Sequence, residues 1–144
     1  MSIHEREEWF DALPEMPHAG WTAPNRGDRF PLAAHTHLGA WELCLLVRGT
    51  VQWWAGDGIV LVPPGHAFLT RPDEEHGGVN DQLQRCDLYW VQVRTGRLPG
   101  TGQNGARLLA ELPRLPRTFP APTLAPRCAD LLDALRSTGP HQCR

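Results

Sequence analysis

Lysine is absent from this 144-residue sequence, so all 14 basic side chains are arginines. Long apolar runs are absent too. No window approaches the roughly 18 apolar residues that a membrane-spanning helix needs. The opening stretch MSIHEREEWF is charged and has no apolar segment of the secretory kind, so a cytoplasmic protein that does not engage membranes is expected. The four cysteines, Cys44, Cys86, Cys128 and Cys143, lie far apart with no C-x-x-C. In a cytosolic chain that predicts four free thiols. Glycine-rich phosphate loops are missing, and no serine or cysteine sits in a recognisable nucleophile context, which sets nucleotide binding and catalytic triads aside. No internal repeat is present, which leaves out propellers and solenoids.

What is there favours turns and strands. Glycine and proline number 14 each, too many for a helical bundle, and 41% hydrophobic residues place the chain among globular proteins. The length suits one domain whose core needs no disulfide or structural metal. Net charge is −2 overall, but the acidic residues gather before Arg94 and the arginines after Val93. That balance argues against a DNA-binding domain, which would carry net basicity on one face. The basic second part reads as a solvated linker, or as an approach to DNA or to an acidic partner.

Along the chain, residues 1–31 read as an N-terminal arm, with prolines limiting order to one short helix over Glu5–Leu13. Residues 32–95 carry the strands: Trp41–Val47, Val51–Ala55, Ile59–Val62, His66–Arg71 and a late one within Leu83–Arg94. Gly56-Asp57-Gly58 marks a hairpin. Pro72–Asp81 reads as a polar loop whose acidic Asp73-Glu74-Glu75 faces solvent. Residues 96–144 form a linker and C-terminal helical segment, with helices over Ala106–Leu112 and Thr123–Ser137. The second has an apolar stripe of Leu124, Cys128, Leu131, Leu132 and Leu135, for its own barrel or for a partner helix across a dimer. Short strands broken by Gly/Pro turns fit an antiparallel barrel or sandwich.

The chemistry concentrates in His35-Thr36-His37, followed after four residues by Glu42 and after six more by Gly49. On a strand, His35 and His37 would share a face. Two imidazoles and a carboxylate converging inside a barrel suit Zn, Fe, Mn or Ni, and they also suit a hydrogen-bonding floor for a polar ligand. H-x-H alone is a weak signal. The added glutamate and glycine at fixed spacing make the composite specific.

This composite resembles the first motif of the cupin superfamily, and Gly56–Gly58 with Pro63-Pro64-Gly65 resembles the glycine and turn of the second. Phe68 stands where that motif has its third histidine, leaving His66 or His76 as a candidate fourth ligand. With WELCLLVRG, LVPPG, DLYWVQV, a proline-rich connection and a leucine-rich helix, residues 30–137 are similar to the N-terminal sensor domain of AraC-type transcriptional regulators. The resemblance implies an all-β cupin fold, a double-stranded β-helix or jelly-roll barrel, with a short C-terminal α-helical segment.

It further implies a barrel that binds a small effector such as a sugar and forms a homodimer. DNA would be contacted only through a separate helix-turn-helix domain that this chain lacks. His35, His37, Glu42, Trp53, Phe68 and Trp90 are the expected ligand contacts. The tryptophans read either as core, as an aromatic wall, or as an interface. No cofactor and no catalysis are expected on this reading. The alternative is a metallocupin enzyme, a dioxygenase or isomerase, using His35, His37 and Glu42 as metal ligands.

Overall fold

The computed structural model describes residues 5–23, 30–56, 58–94, 102–138 and 142–143. In chain order its elements are β1 (Glu5–Leu13), β2 (Met16–Ala23), β3 (Phe30–Pro31), β4 (Trp41–Arg48), β5 (Val51–Ala55), β6 (Gly58–Val62) and β7 (His66–Thr70). Then come β8 (His76–Gly78), β9 (Gln82–Leu83), β10 (Asp87–Val93), α1 (Gly102–Glu111), β11 (Thr118–Pro120), α2 (Leu124–Thr138) and β12 (Gln142–Cys143). Seven strands form one sheet in the order β11-β7-β4-β10-β2-β1-β12. Facing it are a three-stranded sheet, β6-β5-β8, and the pair β3-β9. The strand-dominated architecture with a late helix matches the expected cupin barrel.

Two-residue periodicity sorts the side chains. On β4 and β10, Cys44, Leu46, Leu88 and Trp90 point into the barrel, where they pack with Val51, Trp53, Val62 and Phe68. The opposite faces carry Leu45, Tyr89 and Val91 towards α2. The α2 stripe is therefore spent on its own barrel. Leu132 and Leu135 pack on Trp9, Met16 and Ala19, and Cys128 packs on Leu45, Ala67 and Ala121.

Two expectations give way to tertiary structure. Glu5–Leu13, read as a short helix, is a strand. Its glutamates suit a helix locally, but pairing with β2 buries Glu8 on one face and Trp9 on the other, and that burial overrides local propensity. Pro14 falls in the turn between β1 and β2, where its missing N–H costs no ladder bond. Pro72–Asp81, read as loop throughout, contains β8, which pairs with β5. Cys44, Cys86 and Cys128 are buried free thiols. Asp57 of the hairpin turn and residues 97–101 of the linker lie outside the described residues, as do the side chain of Cys143 and Gly139-Pro140 after α2.

The docking of α2 predicts a contrast between two leucines. Leu132→Ala, at a fully buried site, should cost about 2–5 kcal/mol in urea unfolding. Leu108→Ala, on the exposed side of α1, should stay within about 0.5 kcal/mol of the parent. Equal losses would contradict the packing described.

Candidate metal centre and cavity

Strand alternation places the carboxylate first. Glu42 shares the inward face of β4 with Cys44 and Leu46, and Gln92 of β10 stands directly opposite it across the ladder. Gln92 Nε2 donates to Glu42 Oε2 at 2.9 Å and lies 3.1 Å from His37 Nδ1. His37 Nε2 is 3.0 Å from the same oxygen, Glu42 Oε2.

The H-x-H segment is not in a regular strand. It is gripped by the loop that precedes β8. His35 and His76 exchange backbone hydrogen bonds of 2.9 and 3.0 Å, and the Asp73 amide donates to the His37 carbonyl at 3.1 Å. Gly77 and Gly78 make this approach feasible. A Cβ on Gly78 would lie 2.0 Å from the Gln82 carbonyl oxygen, and one on Gly77 would crowd the backbone of residues 32–34. The two glycines let β8 press inward and bring the His76 imidazole to the other two, with ring centroids 4.3 Å from His35 and 4.9 Å from His37.

The donor atoms of His35, His37, Glu42 and His76 all lie within 4.8 Å of one another. His35 Nδ1 is 2.7 Å from the Ala33 carbonyl oxygen, and His76 Nδ1 is 2.9 Å from that of Glu74. A carbonyl accepts only from an N–H, so each ring carries a proton on Nδ1, which frees its Nε2 for the cluster. Such an outer hydrogen bond is what orients an imidazole towards a metal. Among the described residues, the buried His76 Nε2 has no hydrogen-bond partner and stands 3.6 Å from Glu42 Oε1. Three imidazoles and one carboxylate, with one buried nitrogen left over, fit a divalent first-row metal.

The charges agree with that donor set. Burial opposes ionisation of Glu42, but the contacts to His37, His76 and Gln92 outweigh it and hold the carboxyl well below the usual range. Burial also opposes protonation of His76, but Glu42 and the Glu74 carbonyl prevail and raise its pKa. His35 is pushed down, chiefly by burial. A buried anion thus draws positive charge to this cluster. Cys44 touches Glu42 Oε1 at 3.5 Å, and its thiol is raised by burial and by that carboxylate, which keeps it protonated.

The cluster opens on a cavity of about 290 Å³. His35, His37, Glu42, Trp53, Phe68 and Trp90, the six residues singled out from sequence, all line it. Phe68 lines the cavity outside the cluster, and the third imidazole comes from His76. His66 is not brought to the cluster. It sits at the start of β7 opposite Pro120, with Nδ1 3.2 Å from the Pro64 carbonyl oxygen.

The cavity also holds residues not foreseen. Arg6 of β1 lies over the Trp90 ring at 5.0 Å and donates to Glu8 at 2.7 Å. His18 of β2 lies 3.2 Å from the same Glu8 oxygen and 3.3 Å from the Trp90 indole nitrogen. Burial lowers the His18 pKa, so this ring is neutral near pH 7. Gln92 was recoverable, being a polar residue on the buried parity of DLYWVQV, and His76 was marked by the two glycines after it. Arg6 and His18 had no such signal while their strands went unrecognised.

A cupin barrel with a histidine–carboxylate cluster inside it defines a class, the small-molecule-binding cupins. Within that class, a family model described as AraC-like ligand binding domain matches residues 15–142, and the chain belongs to that family. Among solved structures, a cupin protein from Bacteroides fragilis is similar at 18% identity, covering 72% of this chain and 89% of that one, with a TM-score of 0.48. The cupin domain of Schizosaccharomyces pombe Cnp3 matches at 11% identity, over 74% and 72% of the two chains, with a TM-score of 0.48. An oxalate decarboxylase variant from Bacillus subtilis matches at 15% identity, over 84% and 39%, with a TM-score of 0.46. No curated protein matches the chain.

One acidic side chain next to the cluster departs from expectation. Glu74, expected in solvent, takes the Arg117 guanidinium on both oxygens, at 2.7 and 2.5 Å. Arg117 also donates to the Leu69 carbonyl at 2.7 Å. Partial burial opposes the Glu74 charge, but Arg117 and the Arg71 amide lower its pKa. A carboxyl depressed in the folded state stabilises fully above its unfolded value, and that contribution fades as pH falls through the folded value. Glu74→Gln should therefore cost about 1–2 kcal/mol at pH 7 in urea unfolding. At pH 3 the gap to the parent should narrow. A gap that widens in acid would contradict the ion pair.

Proposed function

We propose that the chain is the effector-sensing and dimerising module of an AraC-type transcription regulator acting in the cytoplasm, with DNA contacts left to a separate domain. The observation that carries this reading is the barrel cavity, lined by apolar side chains such as Trp53, Phe68 and Leu83 together with the polar His18, His35, His37, Glu42 and His76. An effector in that space would touch Trp53, Phe68 and Trp90 together with the histidine cluster. A response requires that the effector bind one conformation of the barrel more tightly than another.

His35, His37, Glu42 and His76 would hold a divalent metal ion as part of the effector site. The ion would supply positive charge and coordination positions for an effector oxygen. The residues do the rest. Gln92 keeps Glu42 and His37 in place, the Ala33 and Glu74 carbonyls aim two imidazoles, and the aromatic walls exclude water. The same cluster supports a second reading, a metalloenzyme acting on a small polar substrate, in which the open positions would serve catalysis.

Metal analysis of tag-free protein tests the centre. Roughly one first-row metal ion per chain is expected, with a loss of at least about tenfold in affinity for His76→Ala. Metal retained undiminished in both His35→Ala and His76→Ala would remove the centre. Turnover of a small polar substrate that disappears in the same variants would replace the sensor reading with the enzyme.

A further inference from the structure

The polar groups that face the cavity are unevenly matched. Gln92, behind the wall, answers Glu42 and His37, while the single Nε2 of His18 lies within reach of both Glu8 and the Trp90 indole and can answer one of them at a time. One lining residue only donates. Arg6 is half-buried at the cavity, and among the described residues its one hydrogen-bond acceptor is Glu8, reached through a single Nη. A guanidinium presents five N–H donors in a planar fork. An occupant must therefore bring acceptors.

The remaining wall is apolar. Phe68, Leu32, Leu83 and Leu88 surround the space, and Trp53 and Phe68 meet with ring centroids 4.9 Å apart. A sugar, with a hydroxyl on nearly every carbon, would leave several of them against this surface with no partner. A flat or short apolar body carrying one acceptor group matches both walls.

We propose that the effector is a small monocarboxylic acid with an apolar body, its carboxylate recognised by Arg6 and its body enclosed by Trp53, Phe68, Leu83 and Leu88. This rests on the cavity being the effector site. Arg6 is then a specificity-determining residue, since its fork fits a carboxylate and gives a neutral amide of the same shape much less.

The test uses tag-free full chain loaded with Zn, with benzoate and hexanoate each compared with its own amide, and L-arabinose as a sugar. Isothermal titration and thermal shift read binding. At least one acid should bind, at least tenfold more tightly than its amide. Arg6→Gln should weaken the acid at least tenfold and leave the amide unchanged, while Glu8→Gln should leave the acid equal or tighter. The comparison of acid with amide in the parent protein stands even if Arg6→Gln fails to fold. Arabinose or the amides binding as well as the acids would overturn the acid proposal and leave the cavity reading intact. Binding of none of the five compounds would remove both.

Discussion

Glu42 is a carboxylate placed where water cannot solvate it, and the surroundings are arranged to answer that charge. It is buried on the inward face of β4, and taking an ion out of water costs several kcal/mol unless partners compensate. Gln92 comes from the neighbouring strand, His37 from the irregular segment before β4, and His76 from a strand of the opposing sheet. Each partner belongs to a different part of the chain. The barrel must therefore close before the charge is satisfied, and chemistry and fold become one requirement.

Two layers of packing make that closure stable. Inside, aromatic and aliphatic side chains of both sheets fill the barrel on one side of the cavity. Outside, α2 covers β1, β2, β4 and β10 with Leu132, Leu135 and Cys128. The same strands serve both layers through their alternate faces. On β4, Leu45 anchors the helix while its neighbour Cys44 borders the site.

Legibility in the sequence followed the range of the interactions. The H-x-H, Glu42 and Gly49 pattern, the inward aromatics and the span of α2 are set by local spacing, and they were readable. The spacing of His35 and His37 on one strand face was the wrong reason for the right convergence, since a loop and not a strand holds them. β1 and β2 were hidden because their segment looks helical and broken by prolines, and it becomes sheet through pairing of β2 with β10 and of β1 with β2. Arg6, Glu8 and His18 were lost with them. His76 was seen as a candidate, but its rank over His66 depends on Gly77 and Gly78 admitting a strand into a crowded gap.

The Glu74–Arg117 pair carries a mechanical meaning. The residues from Arg71 to His76 hold the His37 carbonyl, present one imidazole, and through Glu74 grasp an arginine on the strand of chain that runs into β11 and α2. The same six residues therefore bind the histidine cluster to the stretch of chain that leads into β11 and α2, so one short segment is shared by the pocket and the approach to the C-terminal helix.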